Sequence, residues 1–99
     1  APADAWKLEK PPFADAARGA SHIPRIRAAI RARQKLRITY HSRGDRITTR
    51  TIRPLALSSL GPVWTLTAWC ELRAAMRDFR LDLIDTSEAL PELFLDDSP

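Results

Sequence analysis

Four arginines, Arg53, Arg73, Arg77 and Arg80, are the residues of this chain best suited to chemistry. A guanidinium is a planar fork of donors that matches phosphate or carboxylate oxygens bidentately. Arginines on neighbouring strands of a small barrel can converge on one anion, and these four are expected to do so. His41 follows Arg37 and Thr39 on one side of an alternating run, where its ring can touch an anion, although a solvated turn histidine is the stronger reading. Trp69 lies on the more polar side of its run. There an indole is either an interdomain contact or a stacking platform contributing about 1–3 kcal/mol per base. The competing reading for each arginine is a surface ion pair with Glu71, Asp78 or Asp82.

Other chemistries find little support. His22 and His41 are too far apart in sequence to form a ligand motif, and Cys70 has no CxxC partner, so no metal is expected. Cys70 reads as a small buried hydrophobe. Ser58 and Ser59 sit in a turn with no nucleophile-elbow pattern around them. Only Gly19, Gly44 and Gly61 are present, which rules out a glycine-rich phosphate loop. No catalytic residue and no cofactor are expected, and the chain reads as a non-enzyme. Tyr40 and Trp64 fall on apolar strand faces and are expected in the core.

Charge is informative by position. From Arg25 to Arg53 ten Lys/Arg face one acid, Asp45, giving +9; from Asp85 onward five acids and no base give −5. A positive face attracts polyanions, of which nucleic acids and nucleotides are the commonest. With 99 residues, 44% hydrophobic and 28% charged, the chain suits one folded domain and leaves little room for a deep enzymatic pocket. One cysteine excludes an internal disulfide framework, which makes a reducing cytoplasm the expected compartment. No run approaches the roughly 20 apolar residues of a membrane span. The absence of an initiator methionine fits a domain belonging to a longer chain.

The elements that must position these residues follow from periodicity. Residues 1–20 hold three prolines and no sustained apolar period, and read as a linker or arm with one short turn near Phe13–Arg18. Ser21 and Pro24 mark a helix start, and Ile23, Ile26 and Ile30 recur at helical spacing, predicting an amphipathic helix to about Gln34. Leu36, Ile38 and Tyr40 then alternate with Arg37, Thr39 and His41, a half-buried strand. Ser42-Arg43-Gly44-Asp45 supplies a hairpin turn. A second strand runs from Arg46 to Arg53, and its apolar parity slips between Ile47 and Ile52, which predicts a bulge or bend. Pro54 marks an edge or that bend. Residues 58–62 turn into a third strand over Val63–Cys70, and a fourth is predicted over Arg77–Ile84 with Phe79, Leu81 and Leu83 inward and Arg80 outward. Leu90–Leu95 reads as either a helix or a fifth strand. The fold class is mainly β with an N-terminal helix: a small antiparallel barrel of four to five strands over residues 21–95, ending in an acidic tail over 96–99.

Four pieces in this order carry a resemblance: the helix Ile26-Arg27-Ala28-Ala29-Ile30-Arg31 leading into Leu36–Tyr40, then Arg53-Pro54-Leu55, then Trp64–Arg73, then Arg77–Ile84. Together they resemble the WYL domain of bacterial helix-turn-helix transcriptional regulators over about residues 23 to 85. The resemblance implies an SH3-like or Sm-like barrel, usually following a winged helix-turn-helix domain, and a regulatory role in which the barrel senses a ligand proposed to be nucleic acid or a nucleotide. Thr65 stands where the family's triplet has tyrosine, and Leu83 where members often carry arginine. The first departure removes a stacking ring and the second a cation.

The function expected is therefore a ligand-sensing domain that binds an anion through a basic patch and modulates an attached DNA-binding domain. Its expected partners are nucleic acid or nucleotide, and DNA through a helix-turn-helix domain outside this chain. The alternative is a dimerisation or protein-interaction module, a homodimer in which the positive segment of one copy meets the negative flank of another. A free-standing RNA-binding barrel ranks third, since only 7% of residues are aromatic and most of those look buried.

Overall fold

A computed structural model of the chain describes residues 14–42 and 46–95. Two helices, α1 (Ala16–Ser21) and α2 (Ile23–Ala32), precede five strands: β1 (Gln34–Ser42), β2 (Arg46–Leu60), β3 (Val63–Cys70), β4 (Ala75–Arg80) and β5 (Ile84–Leu93). A 3₁₀ turn at Leu81–Leu83 joins β4 to β5. The expected turn at 43–45, the arm over 1–13 and the tail over 96–99 lie outside the described residues.

Helix α2 forms where the isoleucine spacing predicts it. Pro24 occupies the first turn, where its missing N–H costs nothing, and Ile26 and Ala29 are buried. The helix ends sooner than expected, because Arg33 takes a left-handed conformation (φ 54°) and its N–H closes onto Ala29 and Ile30 carbonyls, so Gln34 already belongs to β1.

All strands pair antiparallel in the order β4-β3-β2-β1-β5. In β1 the alternation holds, with Leu36, Ile38 and Tyr40 buried between more exposed neighbours. Ile52, Leu66, Ala68, Cys70, Phe79, Leu81 and Ile84 complete the core beneath α2. The sheet curls on itself: the Tyr40 hydroxyl of β1 accepts the Arg80 amide of β4 at 3.0 Å, although two strands separate them in the sheet order. The Tyr40 and Phe79 rings meet edge to face at 5.1 Å. This makes the small barrel-like fold of five strands that the periodicities predict.

Several details differ from the sequence reading. Residues 14–20, expected in an arm, are packed: Asp15 caps α1 by accepting the Arg18 amide at 2.9 Å, and its own N–H donates to the Asp82 carbonyl at 3.0 Å. Strand β2 continues to Leu60, and its register shift falls at Pro54–Ala56 rather than between Ile47 and Ile52. Ile47 points outward and Arg50 takes the inward position instead. Strand β4 begins at Ala75 and stops at Arg80, where the 3₁₀ turn redirects the chain. Arg80, expected outward, is buried because the turn wraps Asp82 back onto it. The C-terminal segment resolves as a strand, β5, paired with β1.

Candidate anion-binding cleft

The register β1–β2 sets Arg50 directly opposite Ile38, on the core side of the sheet. Arg50 is only 5% exposed. Burying an ionised group without a counter-charge is costly, so its surroundings must compensate. Its Nε donates to Thr48 Oγ1 at 2.9 Å, one terminal nitrogen donates to Ser42 Oγ at 3.3 Å, and the other lies 3.8 Å from Cys70 Sγ. The guanidinium carbon also sits 5.7 Å from the Phe79 ring centroid and 6.0 Å from that of Tyr40, within cation–π range. Among the described residues no carboxylate reaches Arg50 within ion-pair distance. It is a buried cation held by hydroxyls, sulfur and rings.

Arg50 lines a cleft of about 110 Å³ together with Tyr40, His41, Ser42, Arg77, Asp78, Phe79 and Leu83. The residues come from β1, β2, β4 and the 3₁₀ turn, so the cleft lies where the curled sheet meets itself. Arg77 is paired in register with Ala68 and shares a face with Phe79, which aims it along the cleft wall. It too has no carboxylate partner among the described residues. Asp78 is the acidic member, and its Oδ1 accepts from Thr67 Oγ1 at 2.7 Å. Burial pushes the Tyr40 hydroxyl above its ordinary pKa, so the phenol stays neutral while accepting from Arg80.

The arginines singled out from sequence occupy separate environments. Arg53 donates through Nε to Glu71 Oε2 at 2.9 Å, and Lys35 reaches the same oxygen at 2.8 Å. The hydrogen bond from Lys35 comes first, and the one from Arg53 adds to it, in holding the Glu71 carboxyl below its ordinary pKa. Arg80 donates to Asp82 Oδ1 at 2.6 Å. Arg73 is exposed in the β3–β4 turn. Trp69 is half-buried in register with Arg53 and Met76 on the opposite face of the sheet from Phe79. Only Arg77 and His41 enter the cleft. The residue the motif reading missed is Arg50. A signal for it existed: counting back from the hairpin, Arg50 shares parity with Ile52 and Pro54.

Among the described residues no cluster of three His, Cys, Asp or Glu side chains is arranged to hold a metal, and no helix is long and apolar enough to cross a membrane.

A family model, the WYL domain, matches residues 21–89. Among solved structures, the chain is similar to proteasome accessory factor B/C (PafBC) of Arthrobacter aurescens, with 36% identity and a TM-score of 0.71. That match covers 76% of this chain and 12% of the other, so the domain corresponds to a small part of the longer protein. No curated protein matches the chain.

Proposed function

Because this chain belongs to the WYL domain family, we propose that it is a regulatory domain of a bacterial transcription regulator that binds an anionic ligand, a phosphate of nucleic acid or of a nucleotide, in the Arg50 cleft. The observation that carries this reading is a buried guanidinium with no carboxylate at ion-pair distance among the described residues, opening to a cleft whose wall adds Arg77 and His41. A core position that holds a cation with neutral partners instead of a counter-charge costs stability, and natural proteins retain such costs chiefly at functional sites. At about 110 Å³ the cleft is below the roughly 300–1,000 Å³ of whole-ligand pockets. It suits one anionic group, with the rest of the ligand running over the positive surface that residues 25–53 supply.

Regulation follows from linkage. A ligand shifts an attached DNA-binding domain only by preferring one arrangement of the two. The cleft joins β1, β2, β4 and the 3₁₀ turn, so an anion bridging Arg50 and Arg77 would tighten the seam of the curled sheet. The DNA-binding domain lies outside this chain, as does any contact with an operator.

The test is fluorescence anisotropy of a labelled short single-stranded oligonucleotide titrated with the chain at two salt concentrations, with Arg77→Ala and Arg50→Met alongside. Saturable binding that weakens with salt and is lost in both variants supports the reading; the salt slope counts the phosphates contacted. Absence of binding at the lower salt, where nonspecific attraction is greatest, overturns it.

A further inference from the structure

A second concavity is separate from the cleft: no described residue lines both. It originates in the register shift at Pro54–Ala56, where β2 carries one extra residue against β3. The shift reverses the parity of β2, so Leu57 and Ser59 stand opposite Leu66 and Trp64 and share their side of the sheet. Leu66 is fully buried on that side, but the cover runs out towards the tip of the β2–β3 hairpin. Leu57 and Trp64 there stay half-buried, and the short, exposed Ser59 leaves space beside the indole.

Helix α2 supplies the other wall. Ile30 joins Leu57 and Trp64 on the floor, and Arg27 and Arg31, one turn apart on α2, form the rim of an open groove of about 500 Å³. That volume falls within the roughly 300–1,000 Å³ of whole-ligand pockets, which the cleft does not reach. The Arg27 guanidinium lies 6.0 Å from the Trp64 ring centroid, a cation–π contact that uses none of its N–H groups. Among the described residues neither rim arginine has a carboxylate within ion-pair distance. Two like charges at this spacing repel, and an anion between them relieves the repulsion.

The chemistry of the occupant follows from these two layers. Paired guanidinium forks select a carboxylate head. A floor of two aliphatic chains and an indole offers no acceptor for the polar edge of a nucleobase, and selects an aryl or alkyl body instead. We propose that this groove binds a small amphiphilic acid, its apolar body on Ile30, Leu57 and Trp64 and its carboxylate between Arg27 and Arg31. Such a ligand ties α2 to the β2–β3 hairpin at the place the core leaves uncovered. The proposal rests on neither the Arg50 cleft nor its ligand.

Isothermal titration calorimetry of the chain with naphthylacetate and with its neutral analogue naphthylacetamide tests it. The acid is expected to bind at one site, and the amide at least about tenfold more weakly. Arg27→Gln/Arg31→Gln, both at exposed positions, is expected to remain folded by circular dichroism and to bind the acid no more tightly than the amide. Ser59→Leu fills the space beside Trp64 and is expected to lose both compounds while keeping its fold. Arg50→Met is expected to hold the acid within about twofold of the parent's affinity, which separates the groove from the cleft. Absence of binding by the parent overturns the proposal, as does equal affinity for acid and amide. Loss of the acid in Arg50→Met, or undiminished binding of it in Ser59→Leu or in the double arginine variant, overturns it too.

Discussion

The Tyr40 hydroxyl accepts the backbone amide of Arg80 at 3.0 Å, and this bond ties β1 to the end of β4 across the curl of the sheet. The tyrosine is 6% exposed, so solvent cannot easily replace it as the amide's partner. Tyr40→Phe keeps the edge-to-face contact with Phe79 and the ring beneath Arg50 while removing only the acceptor. Leaving a buried donor unsatisfied costs about 1–3 kcal/mol. The expected outcome is that loss in chemical denaturation, with the denaturant slope unchanged.

Gly19 lets α1 pack directly against the backbone of the 3₁₀ turn. A Cβ at this position would stand 2.8 Å from the Asp82 amide nitrogen and 2.8 Å from the Leu81 carbonyl carbon, both backbone atoms that cannot swing aside. Gly19→Ala is therefore expected to destabilise by roughly 1–3 kcal/mol through overpacking, even though alanine is the better helix former. A thermal melt checks this; an unchanged midpoint would show that α1 does not pack as described.

Stability is expected to fall in two acid steps. His22 is buried, with Nε2–H donating to the Ile84 carbonyl at 3.2 Å and Nδ1 accepting from the Ser87 hydroxyl at 2.7 Å. Burial lowers its pKa below 6.5; the nearby Arg25 and Arg18 lower it further, while backbone hydrogen bonds oppose them. The unfolded chain thus binds this proton more readily than the folded one. Stability attached to His22 is intact above its unfolded pKa and is lost as pH falls from about 6.5 towards the lower folded value. Glu71 adds a second step: its carboxyl, held low by Lys35 and then Arg53, contributes stability present above 4.5 and lost below it. Urea midpoints measured from pH 8 down to about 2.5 read both steps, and His22→Gln is expected to flatten only the upper one.

Arg50→Met separates function from stability. The methionine fills similar space without a buried charge, and such replacements are often neutral or stabilising. The variant is expected to melt no lower than the parent while its affinity for the oligonucleotide falls at least tenfold, about 1.4 kcal/mol. Arg53→Ala, which removes a partner of Glu71 rather than a cleft residue, is expected to leave that affinity within about twofold. A melting point lowered along with affinity would make Arg50 a structural residue.

The strands were legible where one face is apolar and the other polar, as in Leu36-Arg37-Ile38-Thr39-Tyr40, because period-2 alternation follows from half-burial. Helix α2 was legible for the same reason at a period of 3.6. Helix α1 was not: Ala16–Ser21 has no apolar stripe, and it docks through Gly19 and through hydrogen bonds to Asp82 and Ile84. Arg80 defeated the alternation rule because its partner, Asp82, sits two residues on in a turn rather than across a strand. At the candidate cleft, Arg77 and His41 could be singled out by residue type alone. Arg50 required trusting strand register over residue type, against the ordinary rule that arginine faces water.

Asp82 has one last consequence. Its carbonyl receives both the Asp15 amide and an Arg18 guanidinium, and the next residue, Leu83, forms part of the cleft wall. Asp15 and Arg18 are therefore tied to the 3₁₀ turn one residue from the cleft wall. On the proposed reading, a tug or twist delivered through these two residues strains the same turn that a bound anion stiffens from within, and any work passed along that path runs equally well in both directions.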